Sequence, residues 1–273
     1  MHPMLNIAIR AARMAGNLLT RNYEIPETIE TNSKISSDFV SKVDFNAKCL
    51  IIETIRKSYP HHTILSKESC NMLYSGNEIQ WILNPLDGAA NFIRRLPHFS
   101  VSLAVRIRGR TEIAVVYDPM RNEMFTATRG QGSQLNGYRL RGAISKYLAG
   151  TVLATCFKFK DKKQVPSYIV VLDKFFQQFT DLRYTGTPAL DLAYVAAGRV
   201  DGFFALGLKP WNITAGELLV CEAGGLVTDF DGGHNYLKSG NTIAGNPRIV
   251  RAILGNVSNK LMKIKKIDIS GKL

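Results

Sequence analysis

The stretch that most constrains how this chain can fold is an apolar segment that runs directly into a polar turn containing glycine. It reads Trp-Ile-Leu-Asn-Pro-Leu-Asp-Gly-Ala-Ala-Asn-Phe and spans residues 81–92. The apolar run predicts a buried strand, which holds the side chains at its carboxyl end with little positional freedom. Open and layered α/β proteins place their chemistry at such strand ends. Asn84, Asp87 and the turn that follows are therefore candidate site residues.

The spacing of apolar residues predicts two consecutive groups of strands and helices. The first twenty-odd residues predict an amphipathic helix, and a second helix is predicted from Asp44 to Tyr59. The remaining predicted strands are 63–65, 79–83, 100–107, 112–117, 123–128, 152–154, 203–206 and 226–229, and the remaining predicted helices are 168–179, 189–197, 214–223 and one after Pro247. The strands between residues 100 and 128 predict an antiparallel meander, so the first sheet is not purely parallel.

The length of the chain, 273 residues, suits one large domain or two closely packed halves. Neither an internal repeat nor a flexible linker is visible in the sequence. We therefore expect a single domain over residues 1–273, whose halves, about 1–150 and 151–273, pack as one unit.

The composition, with 45% hydrophobic and 21% charged residues, is typical of a soluble globular protein. No apolar run approaches the roughly 20 residues that span a bilayer, and the N-terminus lacks a signal-peptide pattern, so we expect a cytoplasmic protein without membrane contact. The cysteines, Cys49, Cys70, Cys156 and Cys221, are scattered, which predicts reduced thiols rather than disulfides or a zinc site.

The net charge of +13 is high for a small-molecule enzyme. A basic surface concentrates phosphates and nucleic acid, so this charge is compatible with a polyanionic partner and an RNA-proximal surface. It is equally compatible with a solvated, lysine-rich surface that arose by compositional drift. The sequence leaves both interpretations open.

Three polar stretches end strands or open helices, at residues 66–69, 84–92 and 211–217. Taken singly, each has a structural explanation. Asn84 and Asp87 can form a turn, Asn212 can cap a helix, and Glu68 can be a solvated acid.

Taken together, the stretches resemble the inositol monophosphatase family. Its signatures read approximately Asp-Pro-(Ile/Leu)-Asp-Gly-Thr-x-Asn-Phe and Trp-Asp-x-Ala-Ala-Gly with a downstream Glu-Ala-Gly-Gly, and they correspond here to residues 84–92, 211–216 and 222–225. The resemblance runs from the first helix to Asn246-Pro247. Residues 1–8, 117–123 and 192–204 are most similar to one bacterial branch of the family.

The resemblance implies a fold and a chemistry. The fold is an α-β-α-β-α five-layer sandwich of the layered α/β class, with the site between the halves and a homodimer as the assembly. The chemistry is Mg²⁺-dependent phosphate ester hydrolysis, in which two or three ions, held by several carboxylates, activate water and neutralise the phosphoryl oxygens.

The family's site positions carry over to this chain as follows. The metal-ligand positions fall on Lys67, Asn84, Leu86 through its backbone carbonyl, Asp87 and Asn212, with Glu68 adjacent and Asp44 at the outer metal site; the catalytic positions fall on Asp87 and on Ala89, where the family has a water-orienting Thr; the substrate-binding positions fall on Gly88, Ala89, Arg183 and Ala205. Asp87 and Asp44 retain the family residue. Lys67, Asn84 and Asn212 replace a Glu and two Asp.

These three replacements shift the site by four charge units toward positive, one for each Asp→Asn step and two for Glu→Lys. Like charges about 4 Å apart repel by several kcal/mol at an effective dielectric constant near 20, so Lys67 opposes a bound cation. We therefore expect Mg²⁺ affinity and turnover to fall to background. The retained scaffold residues Gly88, Trp211 and Gly216 indicate that the fold is still needed.

Three functional hypotheses follow from the resemblance. The bacterial branch acts as an inositol-1-phosphatase and also with Nus factors such as NusA on RNA polymerase in ribosomal RNA antitermination, a role that needs no hydrolysis. We expect the transcription role, with phosphatase activity lost or very weak. The alternatives are an active Mg²⁺-dependent phosphatase on inositol phosphate, using Asp87, Glu68, Asp44 and amide ligands, and a decaying protein without a specific role.

Overall fold

The computed structural model describes residues 2–24, 34–67, 79–143, 145, 149–157, 165–178 and 181–267. The helices are α1 (Pro3–Glu24), α2 (Lys34–Arg56), α3 (Ala89–Ile93), α4 (Val165–Gln178), α5 (Pro188–Ala196), α6 (Pro210–Glu222), α7 (Tyr236–Ser239) and α8 (Pro247–Ile267). The strands are β1 (Thr63–Leu65), β2 (Ile79–Asp87), β3 (Ser100–Ile107), β4 (Arg110–Asp118), β5 (Glu123–Thr128), β6 (Gly132–Leu135), β7 (Tyr138–Arg139), β8 (Val152–Phe157), β9 (Asp181–Arg183), β10 (Gly202–Leu206), β11 (Leu226–Thr228) and β12 (Thr242–Gly245).

The strands form two sheets of different topology. In the first sheet, β1 to β7 lie in chain order; β1 runs parallel to β2 and the other pairs are antiparallel. The predicted meander is therefore confirmed. In the second sheet the order is β11-β12-β10-β8-β9, with β8 parallel to β9 and β10, and β12 antiparallel to β10 and β11.

The buried strands of the first sheet direct apolar side chains toward both of its faces. Helices therefore cover the sheet on both sides. Along β2, Trp81 and Leu83 belong to the core that α1 and α2 complete. Ile82, between them, belongs to the core that α5 and α6 complete.

The second sheet repeats this arrangement. Phe203 and Ala205 of β10 pack in the core formed with α5 and α6, whereas Phe204 packs in a separate core with α4 and α8. The layers follow as α1/α2, first sheet, α5/α6, second sheet and α4/α8. This order confirms the expected five-layer sandwich.

Some predicted boundaries were wrong. Helix α2 begins at Lys34 rather than at Asp44, because Val40 and Val43 continue the buried stripe that Ala47 and Ile51 carry further along. The short strands β6, β7, β9 and β12 and the short helices α3 and α7 were not predicted.

Two other expectations concern the described parts of the chain. Cys49, Cys156 and Cys221 are free cysteines in the structure, and Cys70 lies outside the described residues. Within those parts, none of the helices combines the length and apolar character that crossing a membrane requires.

Candidate functional site

The predicted site lies at the carboxyl end of β2, where the strand is bulged. Asn84 pairs with Ser102 of β3 and Asp87 pairs with Ser100, so Pro85 and Leu86 stand opposite the single residue Val101. Proline has no N–H to give to a ladder and is therefore found at bulges. A bulge changes the direction of the side chains that follow it and of the exposed carbonyls within it.

Gly88 turns the chain from β2 into α3. Its φ of 88° lies in the left-handed region, which glycine adopts without strain. A Cβ atom at this position would stand 2.9 Å from Thr187 Oγ1 and 3.0 Å from the carbonyl oxygen of His98. Glycine is therefore required here by both conformation and space.

Asp87 connects the end of β2 to both central helices. Its carboxylate is buried, with 5% of the residue exposed. Oδ2 accepts a hydrogen bond from the backbone N–H of Ala189 in the first turn of α5, at 3.0 Å, and Oδ1 accepts one from Asn212 Nδ2 at 3.1 Å. A carboxylate at a helix N-terminus also interacts favourably with the helix dipole.

Asn212 is committed to hydrogen bonds through both ends of its amide. Nδ2 donates to Asp87, and Oδ1 accepts from the backbone N–H of Lys209 at 3.3 Å, which closes a capping box at the start of α6. Oδ1 is the one atom of this side chain that can bind a cation. It is used to cap its own helix.

Lys67 places an ammonium group between three elements. Nζ lies 2.9 Å from Asp44 Oδ2 on α2 and 3.5 Å from the backbone carbonyl oxygen of Leu86 in the β2 bulge. The Lys67 and Asp44 side chains are 35% and 27% exposed, so the pair is partly shielded from water. It borders a cleft of about 240 Å³ that Lys48, Ser66 and Pro85 also line.

Asn84 differs from the other substituted positions. The residue is 1% exposed, and neither its amide oxygen nor its amide nitrogen has a hydrogen-bond partner among the described residues. Asp44 Oδ1 is likewise buried without a hydrogen-bond partner among the described residues. Buried polar atoms are normally paired, so these atoms mark the least well satisfied part of the site.

The donor groups that the structure describes at this site do not fit Mg²⁺. This ion prefers an octahedron of oxygen ligands that includes carboxylates. Of the candidate carboxylates that are described, Asp44 forms an ion pair with the Lys67 ammonium, and Asp87 accepts hydrogen bonds from two N–H groups. In the parts of the chain that the structure covers, no three His, Cys, Asp or Glu side chains come together as a metal site would require.

The remaining predicted site residues are more scattered. Ala89 begins α3 and its methyl group cannot orient a water molecule. Ala205 is fully buried in the central core. Arg183 ends β9 with Nη1 2.6 Å from Asp181 Oδ1, so its contact with a substrate stays a prediction. Glu68 lies outside the described residues.

A supporting network beside Asp87 was not predicted. Asn91 Nδ2 donates to the carbonyl oxygens of His98 and Thr185, each at 2.8 Å, and Thr185 Oγ1 donates to Asp191 Oδ1 at 2.8 Å. Burial raises the pKa of Asp191 well above its usual range, and the nearby charge of Asp87 acts in the same direction. The available sequence signal was Thr187-Pro188, a cap followed by a first-turn proline.

Comparison with known proteins agrees with the resemblance in the sequence. Residues 1–262 match the model of the inositol monophosphatase family. The chain is 62% identical to Nus factor SuhB of Escherichia coli strain K12 over 96% of this chain and 98% of that one. It is 54% identical to Nus factor SuhB of Vibrio cholerae, over 94% and 96%.

Solved structures agree with the fold. The extragenic suppressor protein suhB from Bartonella henselae superimposes with a TM-score of 0.84 at 34% identity, over 94% of this chain and 98% of that one. An IMPase from Thermotoga maritima gives a TM-score of 0.82 at 32% identity, over 96% and 100%. The relatives match the bacterial branch that residues 1–8, 117–123 and 192–204 indicated.

Proposed function

Because this chain belongs to the inositol monophosphatase family, we propose that it serves ribosomal RNA transcription as a binding component and that its phosphatase activity is lost or very weak. Members of the family are generally Mg²⁺-dependent, whereas the donor set of this chain does not suit that ion.

The transcription role is supported by the relatives. Proteins that share 62% and 54% of their residues with this chain, over nearly its whole length, are named Nus factors. We propose that the chain acts in antitermination with Nus factors such as NusA and with RNA polymerase, as a homodimer and as one structural unit over residues 1–273. Bacterial transcription takes place in the cytoplasm, so this role places the protein there.

The loss of hydrolysis rests on one observation: the ammonium of Lys67 lies at the Leu86 carbonyl, which the family uses as a metal ligand. A cation bound at that carbonyl would stand against a positive charge, and the Asp44 carboxylate is already neutralised by the same ammonium. Among the residues that the structure describes, the groups left to attract a metal are too few to activate water at neutral pH.

Binding to the transcription machinery is tested with the whole purified chain. We expect it to elute with NusA, and with RNA polymerase in the presence of Nus factors, in size-exclusion chromatography. Adding it to transcription of a ribosomal RNA template should increase read-through of a terminator, with Mg²⁺-dependent phosphate release at background. A chain that binds neither protein and leaves read-through unchanged would contradict the transcription role.

Restoring the family residues tests the proposed cause of the loss. The variant Lys67→Glu, Asn84→Asp, Ala89→Thr, Asn212→Asp should release phosphate from inositol-1-phosphate in Mg²⁺ at a rate about two orders of magnitude or more above the wild type. The reason is that it recovers three carboxylates and the water-orienting hydroxyl.

The matched control carries the same four changes together with Asp87→Asn and should be inactive. A restored variant that folds and binds Mg²⁺ but stays inert would show that the loss has another cause. Mg²⁺-dependent turnover by the wild type itself would favour the alternative, an active inositol-1-monophosphatase.

A further inference from the structure

We propose that the former metal site has been rebuilt as a metal-free lock, in which the Lys67 ammonium and the Asn212 amide make the connections that a cation would otherwise make. The lock residues are Lys67, Asn212, Asp44, Asp87 and the Leu86 carbonyl. This inference rests on the metal-binding part of the proposed function and is independent of any transcription partner.

The first half of the lock is the Lys67 ammonium. An ion shared by a carboxylate oxygen and a backbone carbonyl oxygen draws their two elements together. Nζ performs this task for Asp44 Oδ2 at 2.9 Å and the Leu86 carbonyl at 3.5 Å. An ammonium carries three donors and a localised charge, so it can satisfy both oxygens at once. It thereby joins α2 and the β2 bulge to the segment that follows β1, in which Lys67 itself lies two residues after the last residue of the strand.

The second half is the Asn212 amide. An Asp at this position would set two carboxylates against each other across the 3.1 Å that now separates Asn212 Nδ2 from Asp87 Oδ1. Two carboxylates at that distance cannot both be ionised without a cation or a shared proton between them. The N–H of the amide removes this requirement, and the amide oxygen keeps its role in capping α6.

The hydrogen-bond partners of Lys67 and Asn212 argue against the hypothesis of a decaying protein without a specific role. Neutral drift produces substituted side chains without regard to whether their polar atoms find partners. Lys67 and Asn212 both have partners, and each partner belongs to the same site. Asn84, whose buried amide has no partner among the described residues, shows what an uncompensated substitution looks like. The lock therefore reflects selection to keep this end of the fold closed without metal.

A metal-free lock predicts how stability responds to Mg²⁺. The melting temperature of the wild type should be the same, within about 1 °C, in EDTA and in millimolar Mg²⁺, because a ligand raises stability only if it binds the folded state. Lys67→Glu sets a carboxylate against Asp44, and Asn212→Asp sets one against Asp87. Each single variant should melt about 5 °C lower in EDTA and recover most of that loss in Mg²⁺.

Lys57→Glu provides a matched control. Lys57 lies 2.8 Å from Glu53 on the exposed surface of α2, so the variant makes the same charge reversal beside a carboxylate but outside the lock. We expect its melting temperature to change little and to be unaffected by Mg²⁺. Lys67→Gln, which removes the ammonium without adding a carboxylate, should lose stability and gain no response to Mg²⁺.

Several outcomes would overturn the lock. They are a wild type that Mg²⁺ stabilises as much as Lys67→Glu, a Lys67→Gln variant as stable as the wild type, or single reversions that Mg²⁺ does not stabilise. Should Lys67→Glu fail to fold in either condition, Asn212→Asp carries the same comparison. Failure to bind NusA would contradict the transcription role and leave this melting pattern untouched, so the two proposals can fail separately.

Discussion

At the scale of the residue, the site is governed by which side chains can donate and which can only accept hydrogen bonds. Carboxylates accept, so a cluster of them needs protons or cations between its members. Lys67 brings donors to Asp44 and the Leu86 carbonyl, and Asn212 brings a donor to Asp87. In the proposed lock, the donors that a cluster of carboxylates needs are therefore supplied by two side chains of the protein and not by an external cation.

The same reasoning applies at the beginning of β2. Trp81 Nε1 lies 3.0 Å from His62 Nδ1, and because an indole can only donate, this histidine nitrogen must be unprotonated. Burial lowers the pKa of His62 below its ordinary value of 6.5, and the charge of His61 adds to this effect. The hydrogen bond therefore requires the neutral ring.

We predict that this pair makes stability depend on pH. A histidine whose folded pKa is depressed contributes stability that is present above 6.5 and is lost as the pH falls through its folded pKa. Because His62 is only partly buried, the loss in free energy of unfolding should be less than about 1 kcal/mol. Urea unfolding above and below pH 6.5, followed by tryptophan fluorescence, measures it.

The variant His62→Asn isolates this contribution. Burial also lowers the pKa of His98, with the charge of Arg121 acting in the same direction, so some pH dependence of the same sign remains when His62 is removed. The difference between wild type and variant should shrink toward low pH, whereas His61→Asn, which removes only the smaller cause of the lowered pKa, should retain most of the profile of the wild type. A constant difference across the range would show that His62 is not protonated there.

The convergence of the site residues could be predicted from their sequence, but their contacts could not. The family signatures placed Leu86, Asp87 and Asn212 together, and a hydrogen bond joins Asn212 to Asp87. Lys67 was predicted to repel a cation, and its ion pair with Asp44 was not foreseen. That pair spans 23 positions in the chain and depends on how α2 packs against β2 of the first sheet, which local patterns do not specify.

At the scale of the element, the central helices are the most constrained because both sheets pack on them. Every residue from Asn212 to Val220 of α6 is buried, and α5 is buried nearly all round. A helix that is buried on all sides has no solvent face and belongs in the interior. The two helices can approach each other only where a small residue leaves space.

We predict that Gly216→Ala disrupts this layer. A Cβ at Gly216 would lie 2.4 Å from Leu192 Cβ and 2.5 Å from Leu192 Cδ1, so α5 and α6 would have to separate. The expected loss in free energy of unfolding is about 1–3 kcal/mol, the usual cost of overpacking, measured by urea denaturation.

Gly255→Ala is the control for helix propensity. Gly255 is an exposed position of α8 at which an added Cβ meets no atom within 4 Å. Alanine favours a helix over glycine, so this variant should gain about 0.5–1 kcal/mol. Equal effects at both positions would refute the proposed clash between α5 and α6.

The elements themselves were largely predictable, with errors where local signals are weak. Long periodic segments such as α1 agree with the prediction. The start of α2 was misjudged because Ser, Thr and Asp around residue 36 indicate a loop, although the buried stripe from Val40 makes it helical. Strand β12 is four residues long and owes its pairing to β10 and β11, which are distant in sequence.

At the scale of the whole molecule, the outer helix α1 stands out by its charge. All of its charged side chains are basic except that of its last residue, Glu24. Arg10, Arg13 and Arg21 of α1 are exposed, and residues 1–23 contain no acidic side chain. The net charge of +13 adds a long-range attraction for polyanions.

We predict weak, salt-dependent RNA binding through this helix. Three phosphate contacts to a single strand should make the affinity fall about 20-fold for a fourfold rise in salt. Filter binding of a single-stranded RNA measures this, and Arg10→Gln with Arg13→Gln should weaken binding and flatten the salt dependence. Arg251→Gln, at an exposed position of α8, is the control. Equal binding by all variants would favour the interpretation of a merely solvated basic surface.

The chain order of the first sheet has a consequence for synthesis. Each strand from β2 to β7 pairs with the strand made just before it, so this sheet can assemble while the rest of the protein is still being translated. The inner face of the first sheet, with Ile82, Ala104 and Phe125, stays uncovered until α5 and α6 have been made. The second sheet needs β12, from near the end of the chain, between β10 and β11. The nascent protein therefore carries an uncovered apolar face until translation is almost complete, and that interval is when it most needs a chaperone.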